Sequence, residues 1–330
     1  MAEPHLREVA DDVYAYVQPD GGWCLNNAGL ITSGGRPALI DTAATEARTG
    51  ALRAAVAAVT PEPPRFVINT HPHGDHVFGN RFFADEAVIV SHEATRAEMD
   101  LAGLHLTSLW PEVCWGDVSV ELPSLTYRGA LTLHLGDTTA ELMHLGTAHT
   151  RNDTVVWLPR QRVLFTGDVV MSGATPFCLT GSIAGSLEVI EQLRALEPET
   201  VVSGHGPVGG PELLEQSAGY LRYVQRLAAD GIAAGLTPLE AARASGPGPY
   251  AELLDSERLV PNLHRAYAEA RGAEPGHWLD IEELFAEMVT YHGPAAGLRS
   301  LRHRPPASGV LSSFSFLSSL FRTSTRTGTP

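Results

Sequence analysis

The sequence predicts an α/β protein built as a four-layer αββα sandwich: two stacked sheets, helices on both outer faces, and a C-terminal helical extension. Three observations predict it. Short apolar runs of strand length alternate with amphipathic helical stretches. The strand-rich runs fall in two successive halves, each closed by helices. After about residue 210 only helical periodicity continues. With 330 residues, 44% of them hydrophobic and 18% charged, the chain has ample apolar material for a large core.

Taken in order, the first strands are expected at 8–18 (EVADDVYAYVQ), 28–33 and 37–41, separated by Gly, Pro and Asn turns. Residues 45–59 follow Thr42 and read as an alanine-rich amphipathic helix. RFVIN (65–69) is a buried-strand run that leads directly into NTHPHGDHVFGN. AVIV (87–90) is another strand, with a polar helix from Ser91 to Met99 after it. Between 125 and 166, LTLHL, AELMHL, TVVWL and RVLFTG alternate with turns, as in a strand meander. A helix at 186–197 precedes the strand TVVSG (200–204), and further helices are expected at 211–234, 237–245, 255–272 and 279–291. The expected division is a core at 1–210, a helical extension packed on it at 211–292, and a Ser/Thr/Gly/Arg-rich disordered tail at 293–330.

Composition removes several functions. A net charge of −15 without a basic stripe argues against nucleic acid as a partner. There is no run of eighteen apolar residues to cross a membrane, and the N-terminal stretch lacks a charged region followed by an apolar one, so a cytoplasmic protein is expected. Cys24, Cys114 and Cys178 are odd in number and widely spaced, which reads as reduced structural thiols. All 23 basic residues are arginine, so neither a Schiff-base lysine nor a P-loop lysine is available.

The chemistry concentrates in residues 69–80. His71 and His73 alternate at the end of an extended run and so project to one side, while Pro72 and Gly74 hold a tight loop. Asp75 and His76 follow at the next turn and point to an adjacent spot. Packed this densely, three imidazoles and a carboxylate are costly to bury unless cations pair with them, and nitrogen and carboxylate donors suit borderline metals. Further ligands should lie at other strand ends. His149 (GTAHTRND), Asp168 (LFTGDVV) and His205 (VVSGHGPV) each follow an apolar strand and sit beside glycine or small residues.

This set resembles the metallo-β-lactamase superfamily over about residues 8–210. The resemblance implies that family's fold and a pair of zinc ions, with iron or manganese left open. His71, His73 and His149 would hold one ion, Asp75, His76 and His205 the other, and Asp168 would bridge them. A bound zinc lowers the pKa of its water to about 7, which supplies hydroxide without a Ser or Cys nucleophile. Asp75, together with that hydroxide, is the candidate catalytic base. Asn69, Thr70, Thr147 and Thr150 are candidates for orienting the imidazoles.

Further stretches, among them GGWCLNNAGL, LWPEVCWGD, FTGDVVMSGATPFCLTGSIAGSL and ERLVPNLHRAYAE, are similar to metallo-β-lactamase-fold thioesterase/cyclases of aromatic (type II) polyketide pathways, over about residues 7–292. That similarity implies a thioesterase or aldol-type cyclase whose polyketide substrate is carried as a thioester on an acyl carrier protein. Trp23, Met171 and Phe177 are the expected substrate contacts, since a flat aromatic ligand wants an apolar, aromatic wall. The alternative is a general hydrolase of small thioesters or lactones, similar to hydroxyacylglutathione hydrolase.

Overall fold

Strands whose side chains alternate between two apolar environments must be covered on both faces, and this alternation organises the molecule. The computed structural model describes residues 3–292; the tail expected at 293–330 lies outside the described residues. The first half contains β1 (His5–Ala10), β2 (Val13–Val17), β3 (Ala28–Ile31), β4 (Ala38–Ile40), α1 (Glu46–Val59), β5 (Phe66–Ile68), α2 (Gly74–Val77), β6 (Val88–His92), α3 (Glu93–Ala102), α4 (His105–Leu109) and β7 (Leu125–Tyr127). The second half contains β8 (Ala130–Leu135), β9 (Thr138–Met143), β10 (Val155–Leu158), β11 (Val163–Met171), α5 (Ile183–Ala195) and β12 (Thr200–His205). The extension comprises α6 (Glu212–Ala233), α7 (Pro238–Ser245), α8 (Leu259–Ala270) and α9 (Ile281–His292).

One sheet has seven strands in sequence order, β1 to β7, and the other has five in the order β12-β11-β10-β9-β8. Within them β4 to β7 run parallel, as do β11 and β12, and the remaining pairs are antiparallel. Between the sheets lie Val13, Ala15, Ile31, Ile40, Ile68 and Val90 from the first and Leu142, Val156, Leu158, Val163, Phe165 and Val202 from the second. Their sequence neighbours Tyr16, Leu30, Leu39, Val67 and Ile89 face outward onto Leu52 and Val56 of α1. On the other side Val155, Trp157, Leu164 and Val201 face α5, α6 and α8. The αββα layering expected from the sequence is thus present, and the extension shares one apolar cluster with the outer face of the second sheet.

Phe165 links the sheets most directly. Its ring lies so close to Gly29 of β3 that a Cβ there would come within 2.5 Å of it. Phe165→Ala should therefore lower the unfolding free energy by about 3–5 kcal/mol, the cost of truncating a buried aromatic, as measured by urea denaturation.

Several expectations need correction at their edges. The residues 8–18 form two strands joined by a turn, with Asp12 at a left-handed φ of 61°. The helix expected from Ser91 would include His92, but His92 ends β6 and caps α3 by accepting from the Ala94 N–H at 3.2 Å. The strand RVLF does not stop before Asp168: β11 continues to Met171, with register shifts against β12 at Gly167 and beyond. The short α2 falls inside the histidine cluster, where a turn was expected.

Candidate metal centre

Parallel strands deliver the ligands to one edge of the sandwich. Ile40 of β4 and Ile68 of β5 are register partners, so the residues after them emerge side by side. From this point Asn69 to His76 crosses the edge, with His73 as the N-cap of α2 and Asp75 and His76 in its single turn. From the second sheet come His149, beyond the end of β9, and Asp168, within β11. His205, the last residue of β12, completes the set. Close approach of the last two demands a glycine between them: a Cβ on Gly204 would sit 1.9 Å from Asp168 Oδ1.

The seven predicted ligands form two groups, His71/His73/His149/Asp168 and Asp75/His76/His205, in each of which the donor atoms lie within 4.8 Å of one another. Asp168 touches both. Its Oδ2 is 3.8 Å from His71 Nε2, 3.5 Å from His149 Nε2 and 3.4 Å from His205 Nε2, while Oδ1 is 3.2 Å from His76 Nε2. Asp75 Oδ2 is 3.4 Å from His205 Nε2 and 3.8 Å from His76 Nε2.

These residues fit cations. Buried polar atoms ordinarily find partners, yet His71 Nε2, His76 Nε2 and Asp168 Oδ1 are buried without a hydrogen bond and converge on the same space. Burial, reinforced by His76, holds His71 well below its ordinary pKa, and burial pushes His149 down to about 3. Both therefore offer neutral lone pairs at pH 7. Burial would also lower His205 and His76, but Asp168 and other carboxylates outweigh it, taking His205 up to about 9 and His76 well above its ordinary range. Three carboxylates, Asp168, Asp41 and Asp75, thus draw protons onto two imidazoles, and a bound cation would replace those protons.

Four of the five imidazoles are aimed from behind, while the fifth, His73, turns its Nδ1 toward His149 Nε2 at 2.9 Å. Asp41, at the end of β4, accepts from the Thr70 N–H at 2.8 Å, from the Thr70 hydroxyl at 2.7 Å and from His76 Nδ1–H at 2.8 Å. The Thr70 hydroxyl in turn accepts from His71 Nδ1–H at 2.9 Å. His205 Nδ1–H faces the Gly21 and Gly22 carbonyls at 3.1 and 3.2 Å. His149 Nδ1–H donates to the Phe177 carbonyl. These bonds leave the Nε2 atoms of all four rings facing inward. Of the four polar residues expected to orient the imidazoles, Thr70 does so; Asn69 is instead paired with Asn80 at 3.0 Å and Thr150 with Asp153 at 2.8 Å. Sequence reasoning missed Asp41. Its signal was an acidic residue closing an apolar run, a weak one without knowledge that β4 lies beside β5.

Burial would raise the pKa of Asp75, but His76 and His205 outweigh burial and hold the carboxyl at about 2. The Asp75 carboxylate is therefore ionised at pH 7 and offers its oxygens to a cation.

Trp23, Met171 and Phe177 are 8%, 5% and 6% exposed and sit beside the ligands within the apolar cluster of the second sheet. Trp23 meets Phe177 edge to face with centroids 5.3 Å apart, and Trp110 at 5.5 Å. Phe285 of α9 closes on both tryptophans at 6.0 and 5.8 Å. Phe177 lies 6.2 Å from the His149 ring. Met171 Sδ accepts from Arg258 Nη1 at 3.0 Å. All three cysteines are free; Cys24 and Cys178 are buried, and burial pushes the Cys178 thiol up to about 12, away from a reactive thiolate. Among the described residues no helix is long and apolar enough to cross a membrane.

Comparison with known proteins agrees with this geometry. A family model described as the metallo-beta-lactamase superfamily matches residues 21–205. A metallo-beta-lactamase type 2 of Bacteroides fragilis is 25% identical over 64% of this chain and 83% of its own length. A hydroxyacylglutathione hydrolase of Rhodobacter capsulatus is 31% identical over 42% of this chain, which spans about half (47%) of that relative. A solved metallo-beta-lactamase from Pontibacter korlensis shares the fold, with a TM-score of 0.55 and 20% identity over 66% of this chain and 99% of its own. The chain belongs to the metallo-beta-lactamase superfamily of metal-dependent hydrolases.

Proposed function

We propose that the protein is a two-metal thioesterase acting on a bulky aromatic acyl thioester, of the kind an acyl carrier protein would deliver in aromatic polyketide assembly, with ring closure as a companion activity. The observation that carries this reading is the aromatic cluster of Trp23, Trp110, Phe177 and Phe285, which meets the ligand set at His149. Such a wall matches flat, apolar rings. It comes partly from α9, so the extension contributes to the substrate side of the site. Zinc ions held by the two clusters would supply a hydrolytic nucleophile at neutral pH and polarise the acyl carbonyl.

The chain's own residues set the remaining terms. His73 is the one partly exposed histidine ligand, while His71, His149 and His205 are shielded from bulk water, which supports an approach of the acyl group from the His73 side. Asp168 and Asp75 supply negative charge that fixes both cations. With no lysine in the chain, ring closure cannot proceed through a Schiff base.

A second reading, a hydrolase of small thioesters, is supported by the likeness to hydroxyacylglutathione hydrolase. The two separate in one assay. Polycyclic aromatic and short aliphatic acyl thioesters are compared on the zinc-loaded protein, and kcat/KM should favour the aromatic acyl group by at least about tenfold, the discrimination that apolar contacts supply. Phe285→Ala should bring that ratio close to unity. Equal turnover of both classes by the unaltered protein would select the small-thioester reading.

A further inference from the structure

The helix α8 and the turn before it present one polar face to the segment that follows β11. Arg258, Asn262, Arg265 and Glu269 are spaced four, three and four residues apart, which places them on a single helical stripe. Arg258, Asn262 and Arg265 are at most 1% exposed. Each meets the backbone of residues 175–184. Arg258 Nη1 donates to the Thr175 carbonyl at 2.9 Å, Asn262 Nδ2 to the Pro176 carbonyl at 2.7 Å, and Arg265 Nη2 to the Leu179 carbonyl at 2.5 Å. Glu269 accepts from the Ile183 and Ala184 N–H groups at 2.8 and 3.1 Å, at the start of α5.

Asn262 has a second bond that matters more. Its Oδ1 accepts from the Cys178 N–H at 2.9 Å. That N–H and the Phe177 carbonyl belong to one planar peptide group, and the Phe177 carbonyl is the acceptor for His149 Nδ1–H. Fixing the N–H edge of the plane fixes the carbonyl edge. Donation from the N–H also polarises the carbonyl toward His149, because hydrogen bonds in a chain strengthen one another. The His149 tautomer with Nε2 directed at Asp168 is thereby specified from a helix more than a hundred residues further along the chain.

We propose that Asn262, at the centre of this polar stripe, is a positioning residue for the His71/His73/His149 metal site, acting through the Phe177 peptide. The C-terminal helical extension is then part of the metal centre's support. This inference concerns metal binding and does not depend on which thioester is the substrate.

The test is zinc titration of the full-length, metal-stripped protein, with ring-nitrogen NMR of labelled histidines to read ligation of His149 directly. In Asn262→Leu one zinc should bind as in the unaltered protein, and the other should weaken by about 10–100-fold, the usual effect of losing an outer support of a ligand. His149 ring signals should change while those of His76 and His205 hold. Asn262→Asp keeps an oxygen for the Cys178 N–H but loses the Nδ2 donor to the Pro176 carbonyl and the Tyr220 hydroxyl, so it should recover part of the lost affinity. Asn262→Ser, too short to reach that N–H and free of overpacking, repeats the test should leucine fail to fold, with the same split between sites expected. The proposal is overturned if these variants bind both ions as before, if both affinities fall together, or if aspartate fares no better than leucine.

Discussion

Replacing Asp168 with alanine should abolish the paired site. Metal content should fall from two ions per chain to at most one, and hydrolysis by at least about 10²–10³-fold, the usual cost of removing one preorganised electrostatic element from a site. The expectation follows from reach: one carboxylate lies within 3.8 Å of imidazoles from both ligand groups. The other carboxylate lacks that span, since Asp75 comes within 4 Å of His76 and His205 alone. Asp168→Asn separates charge from shape, keeping the side chain's size while removing the anion that holds two cations near each other; it should lose metal almost as fully. Elemental analysis beside steady-state thioester hydrolysis decides the matter. Two tightly held ions and near-normal turnover in the alanine variant would sink the shared-carboxylate reading.

The second large effect is expected at Asp41, which touches no metal. Its carboxylate carries His76 directly and His71 through Thr70, so Asp41→Ala frees one ligand from each cluster at once. Zinc affinity should drop by about 10–100-fold. Stability should fall as well, by about 3–5 kcal/mol, since removing one partner leaves buried polar groups uncompensated. Asp41 also holds a left-handed φ of 59°, a conformation that aspartate tolerates better than alanine. Zinc titration and denaturant unfolding of the metal-free protein read the two effects apart; loss of stability with metal affinity intact would show that Asp41 serves only the fold.

The two aspartates also mark how far the sequence could be read. Asp168 was legible because it follows an apolar run and a glycine, a pattern shared in kind by His149 and His205, although it lies inside β11 and His205 ends β12. Asp41 also follows an apolar run, in PALIDT, but its partners Thr70 and His76 lie 29 and 35 residues away. Only the parallel pairing of β4 with β5 joins them, and pairing leaves no local trace. The histidine cluster was readable because its spacing is the chemistry. The four-residue α2 within it was not, since one turn is too short to show a period. The layers were legible from two-residue alternation, as with Val156 and Leu158 inward and Val155 and Trp157 outward. The role of the extension was invisible: it rests on bonds such as Asn262 to Cys178, across 84 positions.

The division of the sandwich has a consequence for how this protein would respond to metal ions. His71, His73, Asp75 and His76 belong to the half of the chain that ends at β7, and His149, Asp168 and His205 to the half that begins at β8. Between them stand Arg128 and Gly129, both exposed. The ions would therefore lie across a seam and fasten the two sheets at one edge as a clasp does, so that metal occupancy contributes to folding free energy. A chain nicked at that exposed connection would carry an incomplete ligand set on each fragment, and its reassembly would report the free zinc around it.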